Sequence, residues 1–92
     1  MVNCISILGS TGSIGRQSLD VVRKHPQIRV GALTAGTSIQ RLAEQCREFR
    51  PELAVVATEA GAAQLRQAIS NLPTRVLWGE EGLIAAATLE GV

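Results

Sequence analysis

Gly9-Ser10-Thr11-Gly12-Ser13-Ile14-Gly15 follows the apolar run Cys4-Ile5-Ser6-Ile7-Leu8 and leads into a helical pattern from Ile14 to Lys24. That order reads as a strand, a glycine turn and a helix. Glycines at every third position let the backbone turn tightly and come close to a ligand. The free N–H groups at the helix start then face an anion, with the positive end of the helix dipole behind them. The anion that fits such a turn is the pyrophosphate of a dinucleotide. A lone glycine triplet is a weak signal, but here it has the strand before it and the helix after it that the motif requires. A plain strand-to-helix turn would not call for three glycines together with Ser10, Thr11 and Ser13. The spacing is G-x-x-G-x-x-G rather than G-x-G-x-x-G, a variant shared by several reductase families that prefer NADP.

Outward from that motif, apolar runs alternate with helical patterns. The first strand is expected over about Asn3 to Leu8 and the first helix over Ser13 to Lys24, with Ile14, Ser18, Val21 and Val22 at helical spacing and Pro26 as the stop. A second strand covers Ile28 to Thr34, and Ala35-Gly36-Thr37-Ser38 forms a second glycine turn. The second helix spans about Ser38 to Arg50, with Ile39, Leu42, Ala43, Cys46 and Phe49 on one face. Thr37 with Gln40 fits a capping box, and Pro51 follows the helix end. Leu53 to Ala57 is a short third strand. Thr58 is placed to cap a third helix that carries Ala62, Leu65, Ile69 and Leu72 and ends at Asn71-Leu72-Pro73. Arg75 to Trp78 reads as a fourth strand, and Gly79-Glu80-Glu81 opens a last helix over Gly82 to Leu89, with acids at its start as the dipole favours.

This alternation predicts an α/β fold, a Rossmann-like parallel sheet with helices on both faces. In a doubly wound sheet the first strand is central. This chain of 92 residues supplies only the first half, so the first strand is expected as an exposed apolar edge. Residues 1–92 therefore read as the N-terminal part of a nucleotide-binding domain whose remaining strands lie elsewhere, or as a subunit completed by a partner in trans.

Composition narrows the function classes. The chain is 46% hydrophobic and 18% charged, which suits a globular fold, and its net charge of +1 gives no support for nucleic acid or a membrane surface as partner. Phe49 and Trp78, the only aromatics, make no platform for stacked bases. Cys4 and Cys46 are far apart on apolar segments and read as reduced, buried thiols rather than metal ligands. No basic leader precedes a long apolar run, and no apolar stretch approaches the ~18 residues of a membrane span, so a cytoplasmic protein is expected. His25, just before Pro26, reads as a helix C-terminal residue favoured by the dipole, without a neighbour that would make it a catalytic base.

Gly9 to Gly15 followed by Leu19-Asp20-Val21-Val22 resembles the start of the 1-deoxy-D-xylulose 5-phosphate reductoisomerase family. The likeness continues through Arg29-Val30, Ala32 to Gly36, Glu44-Gln45-Cys46 and Phe49-Arg50-Pro51, is looser after Pro51, and covers essentially the whole chain. The resemblance implies an NADPH-dependent enzyme that rearranges and reduces 1-deoxy-D-xylulose 5-phosphate to 2-C-methyl-D-erythritol 4-phosphate in isoprenoid biosynthesis. It implies that Thr11, Gly12, Ser13 and Ile14 contact the cofactor, and that Gly36, Thr37 and Ser38 hold the adenosine 2′-phosphate. The family usually has Lys, Arg or Asn among the two residues after Gly36; Thr37 and Ser38 depart from that. The resemblance also implies a divalent cation, Mg or Mn, and a phosphosugar substrate, both bound by residues outside this chain, and a homodimer of the full-length protein. No catalytic and no metal-binding residue is assigned within residues 1–92, and the chain alone is expected to be inactive.

Strand two ends in Thr34-Ala35-Gly36, without the acid that binds ribose hydroxyls in NAD sites, so nothing there repels a 2′-phosphate. Arg41, one turn into the second helix, is placed either to reach that phosphate or to sit as a solvated charge. Two alternatives share the motif: the Rossmann half of another NADP-dependent reductase, such as a semialdehyde dehydrogenase relative, and a nucleotide-sensing regulatory module without chemistry. The Leu-Asp-Val-Val sequel argues against the first.

Overall fold

The computed structural model describes residues 4–89. Strands and helices alternate throughout: β1 (Cys4–Ile7), α1 (Ser13–Arg23), β2 (Arg29–Thr34), α2 (Ile39–Phe49), β3 (Leu53–Val56), α3 (Glu59–Ala68), β4 (Arg75–Trp78) and α4 (Gly79–Ala87). The strands form one four-stranded parallel sheet in the order β1-β2-β3-β4. This is the expected α/β alternation, and β1 does lie at the edge of the sheet among the described residues. The expected start of the first strand at Asn3 falls outside the described residues. No helix among those described is long and apolar enough to cross a membrane.

Helices cover both faces of the sheet, unequally. On one face α1, α2 and α3 bring Leu19, Val22, Leu42, Cys46, Ala62 and Leu65 against Leu33, Ala54, Val56 and Val76 of the strands. On the other, α4 brings Ala86 against Ala32, Leu53 and Val55. Covered from both sides, β3 is buried at all four of its residues, Leu-Ala-Val-Val, which is why its sequence does not alternate. Cys4 and Cys46 are buried and free; burial pushes the Cys46 thiol up to about 11, so it stays neutral and unreactive.

Val30 and Leu33 both pack against the three-helix face, although residues three apart in a regular strand point to opposite faces. The register explains it. Ile5 pairs with Val30 and Ser6 with Ala32, so Gly31 is skipped as a bulge. Beyond the bulge Ala32 turns to the α4 face and Leu33 to the helical one.

The expected face of α1 holds only at Val22. Its buried residues are Gly15, Leu19 and Val22, while Ile14 is 80% exposed and Val21 54% exposed. The stripes 14-18-21 and 15-19-22 have the same helical spacing and differ only by a rotation of one residue. Apolar content favoured neither, and contact between Gly15 and the preceding loop selects the second. The second helix keeps its expected face, with Leu42, Ala43 and Cys46 buried and Ile39 and Phe49 half-buried.

Boundaries shift where cap chemistry was misread. The N-cap of α2 is Ser38 without a side-chain cap bond, and the Ile39 N–H donates to the Thr37 carbonyl at 2.9 Å, so no Thr37–Gln40 capping box forms. Thr58 does cap α3, its hydroxyl accepting from the Gly61 N–H at 3.0 Å. The third helix stops at Ala68, before Asn71, and α4 starts at Gly79, three residues ahead of the expected Gly82. Gly79 has φ 69°, a left-handed conformation that lets the chain pass from β4 into α4 with no connecting residue. Gly82 then lets α4 lie on the sheet, since a Cβ there would come within 2.6 Å of Val55 Cγ1.

Candidate functional site

In parallel α/β sheets the chain turns from strand to helix at the carboxyl ends of the strands, and ligands collect there. At the ends of β1 and β2 these turns carry Gly9–Gly15 and Ala35–Ser38. Because β1 pairs directly with β2, the two turns are neighbours.

The three glycines of the first turn have three different duties. Gly9 has φ 71° and makes the turn itself, which closes with a bond from the Gly12 N–H to the Gly9 carbonyl at 3.1 Å. A Cβ at Gly15 would lie 2.3 Å from the Gly9 oxygen and 2.6 Å from Ser10 Cα, so only glycine lets α1 dock on the loop. A Cβ at Gly12 would meet nothing closer than the Gly9 oxygen at 3.5 Å, an ordinary contact. The fold does not require glycine at residue 12, which is exposed.

The loop is pinned from below by β2 and α2. Thr34 at the end of β2 holds it twice, accepting from the Gly9 N–H on its hydroxyl at 2.9 Å and from the Ser10 N–H on its carbonyl at 2.8 Å. Gln45 of α2 holds it twice more. The Ser10 hydroxyl donates to Gln45 Oε1 at 2.6 Å, and Gln45 Nε2 donates to the Ser10 carbonyl at 2.8 Å. Ser10, Thr34 and Gln45 are all buried, and among the described residues no buried side-chain polar atom lacks a partner. Thr34 and Gln45 escaped the sequence reading. The signal for Gln45 was a polar residue three positions after Leu42 and beside Cys46, on the buried stripe of its helix.

Of the residues expected at the site, Gly12, Ser13 and Ile14 stand exposed and Thr11 half-buried on the first turn, while Gly36, Thr37 and Ser38 are exposed on the second. The second turn is anchored at its base, with the Ala35 N–H donating to Val55 at 2.9 Å and the Gly36 carbonyl accepting from Ala57 at 3.1 Å. Neither α1 nor α2 has a side-chain cap bond or an acidic residue in its first turn. The unpaired N–H groups and positive dipole ends of two helices therefore open side by side. Arg41 lines a cleft with Thr37 and Ser38, and an adjoining cleft between α1 and α2 with Ser13 and Arg16. Glu44 lines both clefts with Arg41.

A bidentate pair holds α1 to α2 at the far end of that cleft. Arg23 Nη2 donates to Glu48 Oε1 at 2.7 Å, Arg23 also binds Asp20, and its guanidinium lies 5.1 Å from the centre of the Phe49 ring. Hydrogen bonding from Arg23 holds the Glu48 carboxyl below its ordinary value. The partners are about half exposed, so the pair adds little to stability. Another cleft, lined by Cys4, Val30, Phe49 and Pro51, lies at the opposite ends of the strands, away from both glycine turns. Among the described residues no three His, Cys, Asp or Glu side chains are grouped to hold a metal ion.

A family profile described as 1-deoxy-D-xylulose 5-phosphate reductoisomerase matches residues 5–92. A curated relative from Moorella thermoacetica, named 1-deoxy-D-xylulose 5-phosphate reductoisomerase, is 54% identical over 93 residues, covering 100% of this chain and 24% of the relative. A crystal structure of DOX-P reductoisomerase in complex with magnesium superimposes with a TM-score of 0.92 at 37% identity, over 100% of this chain and 24% of that one. Another, in complex with NADPH, fosmidomycin and magnesium, gives 0.91 at 38% identity, over 98% of this chain and 22% of that one. The chain spans about a quarter of the length of the proteins it matches.

Proposed function

Since the chain belongs to the 1-deoxy-D-xylulose 5-phosphate reductoisomerase family, we propose that it is the NADPH-binding amino-terminal part of an enzyme that converts 1-deoxy-D-xylulose 5-phosphate to 2-C-methyl-D-erythritol 4-phosphate in isoprenoid biosynthesis. The observation that carries this reading is the pair of uncapped, acid-free helix starts at the carboxyl ends of adjacent strands. NADPH has two anionic centres to match them, a pyrophosphate and a 2′-phosphate. Thr11, Gly12, Ser13 and Ile14 take the pyrophosphate side, where the bare Gly12 backbone leaves room for close approach. Gly36, Thr37 and Ser38 take the 2′-phosphate at the start of α2, with Arg41 supplying the charge that Thr37 and Ser38 lack.

When bound, NADPH supplies the hydride of the reduction. This chain's own residues bind and orient it: the pinned first turn sets the position of the pyrophosphate, and the second turn selects the phosphorylated ribose. The divalent cation and the phosphosugar bind to residues outside this chain, in a cytoplasmic enzyme that assembles as a homodimer. The 92-residue chain alone has no turnover.

Fluorescence titration of the complete polypeptide with NADPH tests the reading. The wild type is expected to bind NADPH, and Gly12→Val to lose binding while keeping its circular dichroism spectrum. Near-normal affinity in Gly12→Val would reduce the glycine loop to a turn.

A further inference from the structure

Gln45 lies outside both glycine turns and, on the reading above, touches no part of the cofactor. We propose that it is nevertheless a positioning residue for NADPH, acting through the Ser10–Thr11 peptide. Both hydrogen-bonding atoms of its amide are spent on one loop residue. Oε1 accepts from the Ser10 hydroxyl at 2.6 Å and Nε2 donates to the Ser10 carbonyl at 2.8 Å. The pair is buried, Ser10 wholly and Gln45 to within 7% exposure, so water offers the Ser10 carbonyl no substitute donor.

The consequence follows from peptide geometry. In a trans peptide the carbonyl of one residue and the N–H of the next point in opposite directions. Gln45 draws the Ser10 carbonyl inward toward α2, so the Thr11 N–H is turned outward, to the side where Gly12 and Ser13 are exposed. The plane of this peptide turns on ψ of Ser10 and φ of Thr11, and the bond from Gln45 Nε2 holds its carbonyl end. Thr34 fixes the Gly9 and Ser10 N–H groups but leaves that plane to Gln45. Because α2 also carries the second turn at its start, the same amide keeps the two anion-facing turns in a constant relation.

The inference rests on the first turn receiving the pyrophosphate, and the test separates the two. NADPH affinity, KM and kcat are measured in the complete polypeptide for the wild type, Gln45→Met and Ser10→Ala, with melting temperatures alongside. Gln45→Met keeps the side-chain length and loses the donor. Its KM for NADPH is expected to rise about tenfold with kcat at saturating NADPH held. Ser10→Ala loses the hydroxyl but keeps the donation from Nε2 to the carbonyl, and its KM is expected to rise less even at an equal loss of melting temperature. If Gln45 merely stabilised the fold, KM would follow melting temperature in both variants, and that result would overturn the proposal. So would an unchanged KM in folded Gln45→Met. Should Gln45→Met not fold, Gln45→Glu, which keeps the acceptor and loses the donation, takes its place with the same two outcomes. A wild type that does not bind NADPH would overturn the cofactor reading itself, and the role of Gln45 with it.

Discussion

The two halves of this chain are built from the same strand–helix units, yet they treat their helix starts in opposite ways. In the first half, α1 and α2 begin with no side-chain cap and no acid in the first turn. In the second half, Thr58 caps α3 with Glu59 beside it, and Glu80 and Glu81 fill the first turn of α4. The helix dipole and the unpaired N–H groups are the same in all four. What differs is where their partner comes from. Both α3 and α4 bring acids of their own to their starts, and α3 adds a side-chain cap. The α1 start, left open above a loop tied down by four hydrogen bonds, is the one that the proposed function gives to the cofactor pyrophosphate.

Substitutions at the two buried or bare glycines break that contrast most severely. Gly15→Ala should destabilise the fold by about 3 kcal/mol or more, since the new methyl meets backbone atoms that cannot move aside, and this outweighs the gain in helix propensity. Gly12→Ala should change stability by less than about 1 kcal/mol, because its methyl finds only an ordinary contact. Chemical denaturation of the two variants side by side reads the difference; equal losses would mean that both glycines serve packing alone.

Making the first half resemble the second is the sharper test. Ser38→Asp places an acid at the start of α2, as Glu59 and Glu80 do for their helices. The fold should gain about 0.3–1 kcal/mol from the dipole. NADPH binding should weaken about tenfold or more through repulsion of the 2′-phosphate, with NADH spared. A stability gain without any change in the ratio of the two dissociation constants would remove the second turn from the proposed site.

Smaller effects are expected from the residues flanking each kind of helix start. Arg41→Ala should weaken NADPH by about 1–3 kcal/mol and leave NADH nearly unchanged, the range for a hydrogen bond to a charged group. An unchanged NADPH-to-NADH ratio would return Arg41 to a solvated role. In the second half, Thr58→Ala should cost about 1 kcal/mol of stability by loss of the cap and leave cofactor affinity alone. A loss of NADPH affinity there would show that the halves are not independent in the way their helix starts suggest.

Much of this was legible along the chain. The alternation of elements, the two glycine turns, the Thr58 cap and the buried face of α2 follow from local patterns and periodicity. The misreadings have a common cause. On α1, two stripes of equal spacing compete, and only the docking of Gly15 against Ser10 shows which one faces the sheet. At Thr37, the capping pattern is present but the backbone closes the turn by itself. Gly31 carries no local mark of a bulge until β1 is laid beside it.

By itself, the sequence determined that this protein would be a parallel α/β sheet with a glycine turn between its first strand and first helix. Strand, turn and helix preferences act over a few residues, and no distant contact is needed to read them. Tertiary structure alone decided that Gly15 serves packing while Gly12 stays bare, that Gly31 redirects β2, and that Thr34 and Gln45 hold the loop. Each of those depends on which surfaces meet across the sheet, and a buried amide 35 residues away acquires its role only when folding brings it against Ser10.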